Sequence, residues 1–447
     1  MKRIISFLLV LFTFISCKTS SEAEQKQQLV GITAVSADDF LNSIGVVSSI
    51  TGRGETLTGT INALKYTGIR FIRCGLEDHV SVADMIDLHN QTDAKIAYGL
   101  LSGGTDLTRL LNEAIQLASA GTLLAIEGNN EPNNWGITYK EEAGGRDLSW
   151  LPVARLQRDL YMAVKNDPVL RNYPVWNISE SGAQTDNVGL QFLTIPAGAG
   201  TLMPAGTQYA DYANCHNYIT HPSWQGLHDN QTWLSASPGL DCPVDGLYKN
   251  YGLTWRNQFF GYLLSGISTL PRVTTETGYP IGGEVTEEIQ AHLFMNLYLS
   301  QFKHGWSHTA IYLLRTRSNE TSHESYAFYK IDYTPKQAAN YLHNLTAILA
   351  DNNFITTPGV VNYSIPNQPK TVHDLLLQKS ISKFYLVIWG ERFTGGSDEV
   401  TVNLGKNYRT VNIYDPTIGI SALRTLNKIS SLKLTMSDHP IIIGIDD

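Results

Sequence analysis

Short runs of β-branched and aromatic residues alternate with segments of helical spacing from about residue 30 to residue 350, and this alternation most restricts the possible folds. Strands that alternate with helices indicate a parallel sheet with crossover helices. The strand candidates are Ile44–Val47, Ile69–Cys74, Lys95–Leu100, Leu123–Glu127, Pro174–Ser179, Tyr212–Tyr218, Arg272–Glu276 and Thr309–Leu314. Eight strands over roughly 300 residues predict an α/β fold, a (β/α)8 barrel with inserted loops.

Segments with helical spacing lie between these strands. The clearest are Leu107–Ala120, Leu151–Lys165, residues 286 to about 302, and Pro335–Leu349. Gly121 follows the first and Pro168 comes just after the second, and both residue types end helices. Glu287 and Glu288 stand in the first turn of the third, where the helix dipole favours negative charge. The last segment would close the barrel.

The pattern changes after about Asn352. Strand-like runs follow one another closely, separated by Gly-Gly, Asn and Asp-Pro turn signals, and helical spacing is almost absent. The runs are Leu375–Leu377, Phe384–Trp389, Val400–Val402, Val411–Tyr414 and Ile441–Ile443. They predict a small antiparallel β-sandwich. We therefore expect a barrel domain over residues 30–350 and a sandwich domain over residues 351–447, whose first strand could come from the N-terminal segment.

The N-terminus has the features of a targeting segment. Lys2 and Arg3 precede the apolar run Ile4–Ile15, which is too short to span a bilayer comfortably. The sequence Phe14-Ile15-Ser16-Cys17 resembles a bacterial lipoprotein cleavage box. It implies a signal peptide over residues 1–17, acylation of Cys17, a polar tether over residues 18–29, and a lipid anchor in the cell envelope, most simply the outer membrane. Plain secretion after cleavage nearby is the alternative.

Charge and cysteine content restrict the partners. The formal net charge is −8 and no basic cluster is present, so nucleic acid is not an expected partner. If Cys17 carries lipid, Cys74, Cys215 and Cys242 remain, and an odd number cannot all form disulfides. A Cys215–Cys242 bridge is allowed, and Cys74 is expected to be buried and inert. We predict no metal site and no cofactor, and the sequence does not indicate an oligomeric state.

Glutamates stand where the fourth and seventh predicted strands give way to loops. The fourth strand leads into Glu127-Gly128-Asn129-Asn130-Glu131, and the seventh ends at Glu276. In a (β/α)8 enzyme the chemistry takes place at the C-terminal ends of the strands. Glycoside hydrolysis requires one carboxylic acid that protonates the leaving oxygen and one carboxylate that attacks the sugar or activates water. Glu131 and Glu276 could supply both, with Glu127 either a competitor for the acid role or a structural carboxylate.

Asn130-Glu131-Pro132 after strand four and Glu276 after strand seven resemble the motifs of clan A glycoside hydrolases, especially families 39 and 5. The resemblance covers the barrel through about Leu349 and also the tail, since many family 39-like enzymes carry a C-terminal β-sandwich. It implies that Asn130 contacts the sugar 2-hydroxyl, that Glu131 is the acid/base and that Glu276 is the nucleophile. It therefore implies a retaining mechanism on a β-glycan substrate.

The resemblance also implies roles at other strand ends. Arg73, at the end of strand two, matches a clan A arginine that keeps the nucleophile ionised, and an ordinary ion pair is the alternative. His216 and Tyr218 end strand six, where the clan places a His or Tyr that donates to the nucleophile, and the alternative for His216 is a buried structural histidine. Arg315 stands past strand eight, where a Trp is common, and is the candidate for sugar contact there.

Aromatic side chains offer flat faces that stack on sugar rings. The loops contribute Trp135, Trp150, Trp224, Trp233, Tyr248, Tyr251 and Trp255, of which Trp135 is the substrate-binding candidate. Long loops at the barrel mouth favour several sugar subsites and endo action. The alternatives to an enzyme are a non-catalytic glycan-binding surface lipoprotein and an adhesin or scaffold. The identity of the sugar is left open, because fold alone does not fix it.

Overall fold

A computed structural model describes residues 30–179, 186–221, 224–239, 242–244, 269–317, 325–351 and 355–446. Eight parallel strands form its central barrel. They are Ile44–Val47, Phe71–Gly75, Lys95–Leu100, Leu123–Asn129, Val175–Trp176, Ala213–Asn214, Arg272–Thr277 and Trp306–Ile311. The ladder runs from the sixth strand through the eighth and first to the fifth, and a parallel bridge between Trp176 and Tyr212 connects the fifth and sixth. The predicted (β/α)8 barrel is confirmed.

The fifth and sixth strands are shorter than the predicted Pro174–Ser179 and Tyr212–Tyr218. Side-chain amides replace the backbone ladder there. Asn214 Nδ2 donates to Asn177 O at 3.2 Å, and Asn177 Nδ2 donates to Leu190 O at 3.1 Å. The segments after the fifth and sixth strands therefore leave the sheet early and continue as loops.

Aromatic and small side chains fill the inside of the barrel. Phe71 and Trp176 are almost fully buried and meet edge to face, with ring centroids 6.3 Å apart. Gly45 on the first strand leaves room for the Phe71 ring, since a Cβ there would lie 2.1 Å from it. The interior is a packed core, as is usual for this fold, so a ligand must bind at the mouth.

Helices in the described residues cover most of the predicted helical segments. They are Ala37–Asn42, Leu57–Thr67, Val82–Thr92, Leu107–Ser119, Leu151–Asn166, Gln231–Ala236, Glu287–Lys303 and Gln337–Leu349, with a 3-10 turn at Leu76–Asp78. Gly121 has a φ of 71° just past the fourth, and Thr286 Oγ1 caps the seventh by accepting the Ile289 N–H at 3.2 Å. Within the described ranges, no helix has the length and apolar character needed to cross a bilayer.

Two sheets form the second domain. In spatial order the larger one contains Arg424–Met436, Asp398–Tyr414, Pro440–Asp446, Lys383–Gly390, Val372–Ser380 and Val35–Ser36. Val30–Thr33 pairs antiparallel with Val360–Tyr363 in the smaller sheet. Val361 and Leu386, from different sheets, belong to one buried apolar cluster, as in a β-sandwich. The structure thus places two strands of the N-terminal segment in this domain, and Val35–Ser36 pairs in parallel, so the larger sheet is mixed.

Two of the predicted sandwich strands are one in the structure. Val400–Val402 and Val411–Tyr414 both lie within Asp398–Tyr414, whose pairing is irregular between Asn403 and Tyr408. Its partner, Arg424–Met436, is absent from the predicted strands. Most of its residues are exposed, so it has no continuous apolar run that could indicate a strand.

Helix Glu287–Lys303 packs between the barrel and the sandwich and is buried over most of its length. Asn296 Nδ2 donates to two backbone carbonyls of the sandwich, at 2.8 and 3.1 Å. In the other direction, the buried Glu391 carboxylate of the sandwich accepts backbone N–H groups of helix Gln231–Ala236, the shorter contact being 3.0 Å. Hydrogen bonds of buried polar groups therefore hold the sandwich against the barrel.

The described cysteines are buried thiols, so the Cys215–Cys242 disulfide that the sequence allows does not form. Cys242 Sγ donates to the Val244 carbonyl at 3.3 Å instead. Burial raises the pKa of the Cys74 thiol well above its usual value, which agrees with the predicted buried, inert cysteine. Cys17 and the rest of residues 1–29 lie outside the described residues.

Candidate active site

Glu131 and Glu276 line one cavity of about 290 Å³ at the C-terminal ends of the barrel strands. One oxygen of each carboxylate and one ring nitrogen of His216 all lie within 4.8 Å of one another. Glu131 has a φ of 42°, and its backbone N–H donates to Ser179 Oγ at 2.9 Å, which fixes the loop after strand four. The structure therefore brings together the two carboxylates that the sequence placed at separate strand ends.

Arg73, on the second strand, lies between two carboxylates and is almost fully buried. Its Nε and Nη2 donate to Glu127 at 2.8 and 2.9 Å, and its Nη1 donates to Glu276 Oε1 at 2.7 Å. The guanidinium thus stabilises negative charge on Glu276 while Glu127 balances its own charge. This is the contact with Glu276 that the sequence predicts for Arg73.

Glu127 is a buried structural carboxylate and does not line the cavity. Its side chain is 1% exposed, and besides Arg73 it accepts hydrogen bonds from Asn214 Nδ2 at 3.2 Å and Thr275 Oγ1 at 2.8 Å. The Glu127 oxygens are thus occupied as hydrogen-bond acceptors inside the barrel, out of reach of a ligand in the cavity. Of the two readings that the sequence left open for Glu127, this geometry favours the structural one.

Asn130 is held by both ends of its amide. Its Oδ1 accepts from Arg73 Nη2 at 2.8 Å, and its Nδ2 donates to Ser102 Oγ at 3.1 Å. The residue lines the cavity beside Glu131. Because its acceptor is oriented by a guanidinium, the amide faces the cavity in one fixed orientation.

Tyr218 donates its phenolic hydroxyl to Glu276 Oε2 at 3.0 Å. Burial, followed by the charges of Glu276 and Glu131, raises the pKa of Tyr218 well above its usual value. The hydroxyl therefore remains a proton donor at any working pH. Glu276 receives one donor on each oxygen, from Arg73 and from Tyr218.

His216 lies beside Glu131 rather than mainly beside Glu276. Its Nδ1 is 2.7 Å from Glu131 Oε1 and 3.7 Å from Glu276 Oε2, and its Nε2 is 3.1 Å from Thr275 Oγ1. The short contact is thus to the predicted acid/base, whereas the sequence placed it on the nucleophile. The physical reason is the early end of strand six, after which the chain continues as a loop.

The ionisation of Glu131 is set by opposing effects. Burial raises its pKa, but the hydrogen bond and positive charge of His216 outweigh burial, and Asn134 and Arg73 act in the same direction. The pKa of Glu131 falls to about 2. His216 is thus the main cause of the lowered pKa of Glu131.

Of the predicted sugar-contacting residues, Trp135 lines the cavity and Arg315 does not. The Trp135 side chain is 54% exposed, so its indole is available to a ligand. Arg315 is buried: its Nε donates to Ile331 O at 2.8 Å, and its guanidinium lies 5.0 Å from the centre of the Tyr333 ring. The prediction for Arg315 is corrected, because its side chain stabilises a loop.

The other loop aromatics lie elsewhere. Trp150 is fully buried, Trp224 stacks on His228 at 4.6 Å, and Trp233 stacks on His373 of the sandwich at 3.8 Å. Tyr248, Tyr251 and Trp255 lie outside the described residues.

Several cavity residues were not singled out from the sequence. They are Arg53, Asp78, Ser102, Tyr312, Arg317 and Tyr326. Arg53, Asp78 and Tyr312 follow the first, second and eighth strands closely. Their position just past strand ends was the available signal, since the loops after all eight strands face one mouth.

A second cavity of about 680 Å³ is lined by Gly136, by residues of the hairpin Ile137–Tyr139 and Glu142–Gly144, and by Arg146. Trp135 lines the first cavity and its neighbour Gly136 the second. The loop that carries Glu131 therefore contributes to both cavities.

No protein-family model and no curated protein matches this sequence. Solved structures do. A family 39 glycoside hydrolase from Bacteroides cellulosilyticus WH2 matches with a TM-score of 0.56 and 15% identity over 92% of this chain and 82% of its own. A bifunctional glucanase-xylanase from a metagenome library gives 0.54 and 13% over 93% and 97%, and a glucosidase from Croceicoccus marinus gives 0.51 and 8% over 94% and 97%. At these identities the likeness is one of fold, and it agrees with the predicted (β/α)8 barrel followed by a β-sandwich.

Proposed function

We propose that this protein is a retaining glycoside hydrolase that cleaves a β-linked glycan, with Glu131 as acid/base and Glu276 as nucleophile. The spacing of the two carboxylates carries the proposal, since one oxygen of each lies within 4.8 Å of the other. Retaining enzymes hold these groups about 5–5.5 Å apart, whereas inverting enzymes leave about 6.5–9.5 Å for a water. The short spacing supports attack on the sugar by Glu276 itself. The fold shared with named glycoside hydrolases supports the same reaction class.

In the first step Glu276 attacks the anomeric carbon as the bond to the leaving oxygen breaks, and Glu131 gives that oxygen a proton. The attacking carboxylate loses its negative charge as the ester forms. Arg73 remains balanced by Glu127, which it contacts at 2.8 Å, so the ester does not leave an unpaired buried cation. Asn130 beside Glu131 is placed to contact the 2-hydroxyl.

In the second step Glu131, now ionised, takes a proton from a water that attacks the anomeric carbon, and the bond to Glu276 breaks. The departing carboxylate regains its charge between the Arg73 guanidinium at 2.7 Å and the Tyr218 hydroxyl at 3.0 Å. These donors stabilise the charge as it develops.

Endo action is part of the proposal. The loop that carries Glu131 lines the catalytic cavity through Trp135 and a second cavity through Gly136, and the leaving part of the substrate must lie on this acid/base side. Two cavities formed by one loop suit several sugars of a polymer. Sizing the products of a cleaved polysaccharide tests this, because an exo enzyme releases only the shortest product from the start.

A lipid anchor at Cys17 is also proposed, on the cleavage-box sequence alone. Metabolic labelling with a fatty acid, compared between the wild type and Cys17→Ser, tests it. Label and membrane retention that persist in the variant would exclude the anchor at this position.

The catalytic roles are tested on a panel of β-glycans and aryl β-glycosides. Glu276→Gln should lower turnover by about 10³-fold or more without changing the melting temperature. Glu399→Gln, at an exposed position of the sandwich, is the matched control and should retain full activity. A 2-deoxy-2-fluoro glycoside should add its glycosyl mass at Glu276, and NMR should show the β-anomer first. Wild-type turnover in Glu276→Gln, or the α-anomer as first product, would overturn the assignment.

A further inference from the structure

The side of the cavity away from Glu131 contains two arginines that do not belong to the catalytic group. Arg53 and Arg317 line the cavity and bind the Ser49–Asp78 pair: Arg53 Nε lies 3.2 Å from Asp78 Oδ1, and Arg317 Nη2 donates to Ser49 Oγ at 3.1 Å. Ser49 Oγ in turn donates to Asp78 Oδ1 at 2.8 Å. We call Arg53, Arg317, Ser49 and Asp78 the arginine corner.

The arginines of this corner are more exposed than the carboxylates that they contact. The Arg53 side chain is 31% exposed, while the Asp78 side chain that it contacts is 2% exposed. Arg317 Nε is 4.0 Å from Glu55 Oε1, where the Arg317 side chain is 5% exposed and the Glu55 side chain 0% exposed. A ligand at this corner can therefore reach the guanidinium groups more readily than the carboxylates.

The order of the barrel strands places the corner on the nucleophile side. Arg53 follows the first strand and Arg317 the eighth, next to the seventh strand with Glu276. Glu131 follows the fourth strand, across the barrel. The leaving group of the substrate must lie at the acid, so the sugar that stays on the enzyme extends toward the corner.

We propose that the sugar retained on the enzyme carries an anionic group, a carboxylate or a sulfate ester, and that Arg53 and Arg317 bind it. This rests on the proposed glycosidase function. A guanidinium fork matches the oxygens of both anions, and such charge-assisted hydrogen bonds are stronger than those to hydroxyls. Tyr312, whose hydroxyl accepts from Arg317 Nη1 at 3.3 Å, also lines the cavity and keeps Arg317 aimed along it.

Matched 4-methylumbelliferyl β-glycosides test the proposal. The glucuronide and the 6-sulfated glucoside are compared with the glucoside, and the galacturonide with the galactoside. At least one anionic glycoside should be cleaved with a kcat/KM at least about 10-fold above that of its neutral counterpart. Preference for the uronide or for the sulfate identifies the source of the charge. Neutral members cleaved as well as the anionic ones would overturn the proposal and leave the glycosidase function intact.

Arg53→Gln is the decisive variant, because the side chain is partly exposed and its loss should be tolerated by the fold. It should lower kcat/KM for the anionic member by about 10-fold or more and leave the neutral member within about 2-fold. Arg70→Gln, which removes an arginine of similar exposure paired with Asp38 at the opposite end of the barrel, should change neither. An equal loss on both members would contradict recognition of charge.

If no glycoside is cleaved, the proposed function is wrong. A binding experiment then tests the arginine corner separately. Saturation-transfer NMR with glucuronate, glucose 6-sulfate and glucose should then show contact with an anionic sugar only, lost in Arg53→Gln. Equal binding of glucose would overturn the corner as an anion site.

Discussion

His216 Nδ1 lies 2.7 Å from Glu131 Oε1, and this contact holds a single proton. Two acceptor atoms this close need a hydrogen between them, carried either by Nδ1 or by Oε1. On the other side of the ring, Nε2 lies 3.1 Å from Thr275 Oγ1. Acid catalysis requires the shared proton on Glu131.

His216→Gln should move the loss of activity at high pH toward lower pH. The wild-type pair loses its shared proton at a pH no lower than the carboxyl alone would, because the imidazole offers that proton a second site. In His216→Gln the proton has only Glu131, so the protonated form should be lost at a lower pH. The pH profile of kcat/KM between pH 3 and 9 measures the shift. A basic limb that stays in place or moves upward would contradict the shared proton.

A purely structural role for His216 would lower activity equally at every pH. Unchanged melting temperature and circular dichroism in His216→Gln, together with the shifted profile, separate the two roles. His343→Gln, a partly exposed histidine on the last helix, is the control and should leave the profile unchanged.

Arg73→Lys should lower kcat by about 10²-fold and destabilise the fold by several kcal/mol. An ammonium cannot bind Glu127 with two groups while it also reaches Glu276, which Arg73 does at 2.8, 2.9 and 2.7 Å. One buried carboxylate then lacks a partner. Kinetics and thermal unfolding measure both effects, and Arg70→Lys, just before the same strand in a partly exposed pair with Asp38, is the matched control. Wild-type kcat in Arg73→Lys would exclude the proposed role.

Tyr218→Phe should lower kcat by about 10-fold with little effect on stability. The variant removes the hydroxyl that donates to Glu276 Oε2 at 3.0 Å and keeps the buried ring. Tyr279→Phe loses a comparable hydrogen bond, to Gly226 O at 2.9 Å, away from the cavity and serves as control. A kcat loss in Tyr279→Phe as large as in Tyr218→Phe would show that the effect is not specific to the nucleophile.

The barrel could be predicted because buried parallel strands are continuous apolar runs, and each of the eight strands overlaps its predicted range. The fifth and sixth strands are shorter than predicted, and the eighth begins and ends three residues earlier. The C-terminal ends of these strands then indicated the candidate site residues Arg73, Glu131, Glu276 and Tyr218. Side-chain direction in the loops could not be predicted, because it depends on contacts between distant segments. Arg315 and Arg317 illustrate this, since only Arg317 reaches the cavity while Arg315 bonds to Ile331 O.

His439 lies where the sandwich packs against the barrel. It should make the free energy of unfolding depend on pH. Burial lowers its pKa, but hydrogen bonds and charges of Asp415 and Asp438 outweigh burial and raise it to about 9. Its nitrogens lie 3.4 Å from Asp415 Oδ2 and 3.3 Å from Asp438 Oδ1, and Asp438 also binds His292 of the barrel helix at 3.0 Å. The charged imidazole of His439 thus contacts Asp438, which in turn binds His292 of the barrel.

A folded pKa above the unfolded value of about 6.5 gives stability that is fully present below pH 6.5 and is lost as pH rises through 9. The difference corresponds to about 3 kcal/mol. Urea unfolding at pH 6 and pH 9.5 should show this loss in the wild type. His439→Gln should be less stable than the wild type at pH 6 and equally stable at pH 9.5. Comparing the two proteins at each pH cancels the effect of other groups that titrate in this range. A constant difference between the two proteins at both pH values would show that His439 acts by packing and not by charge.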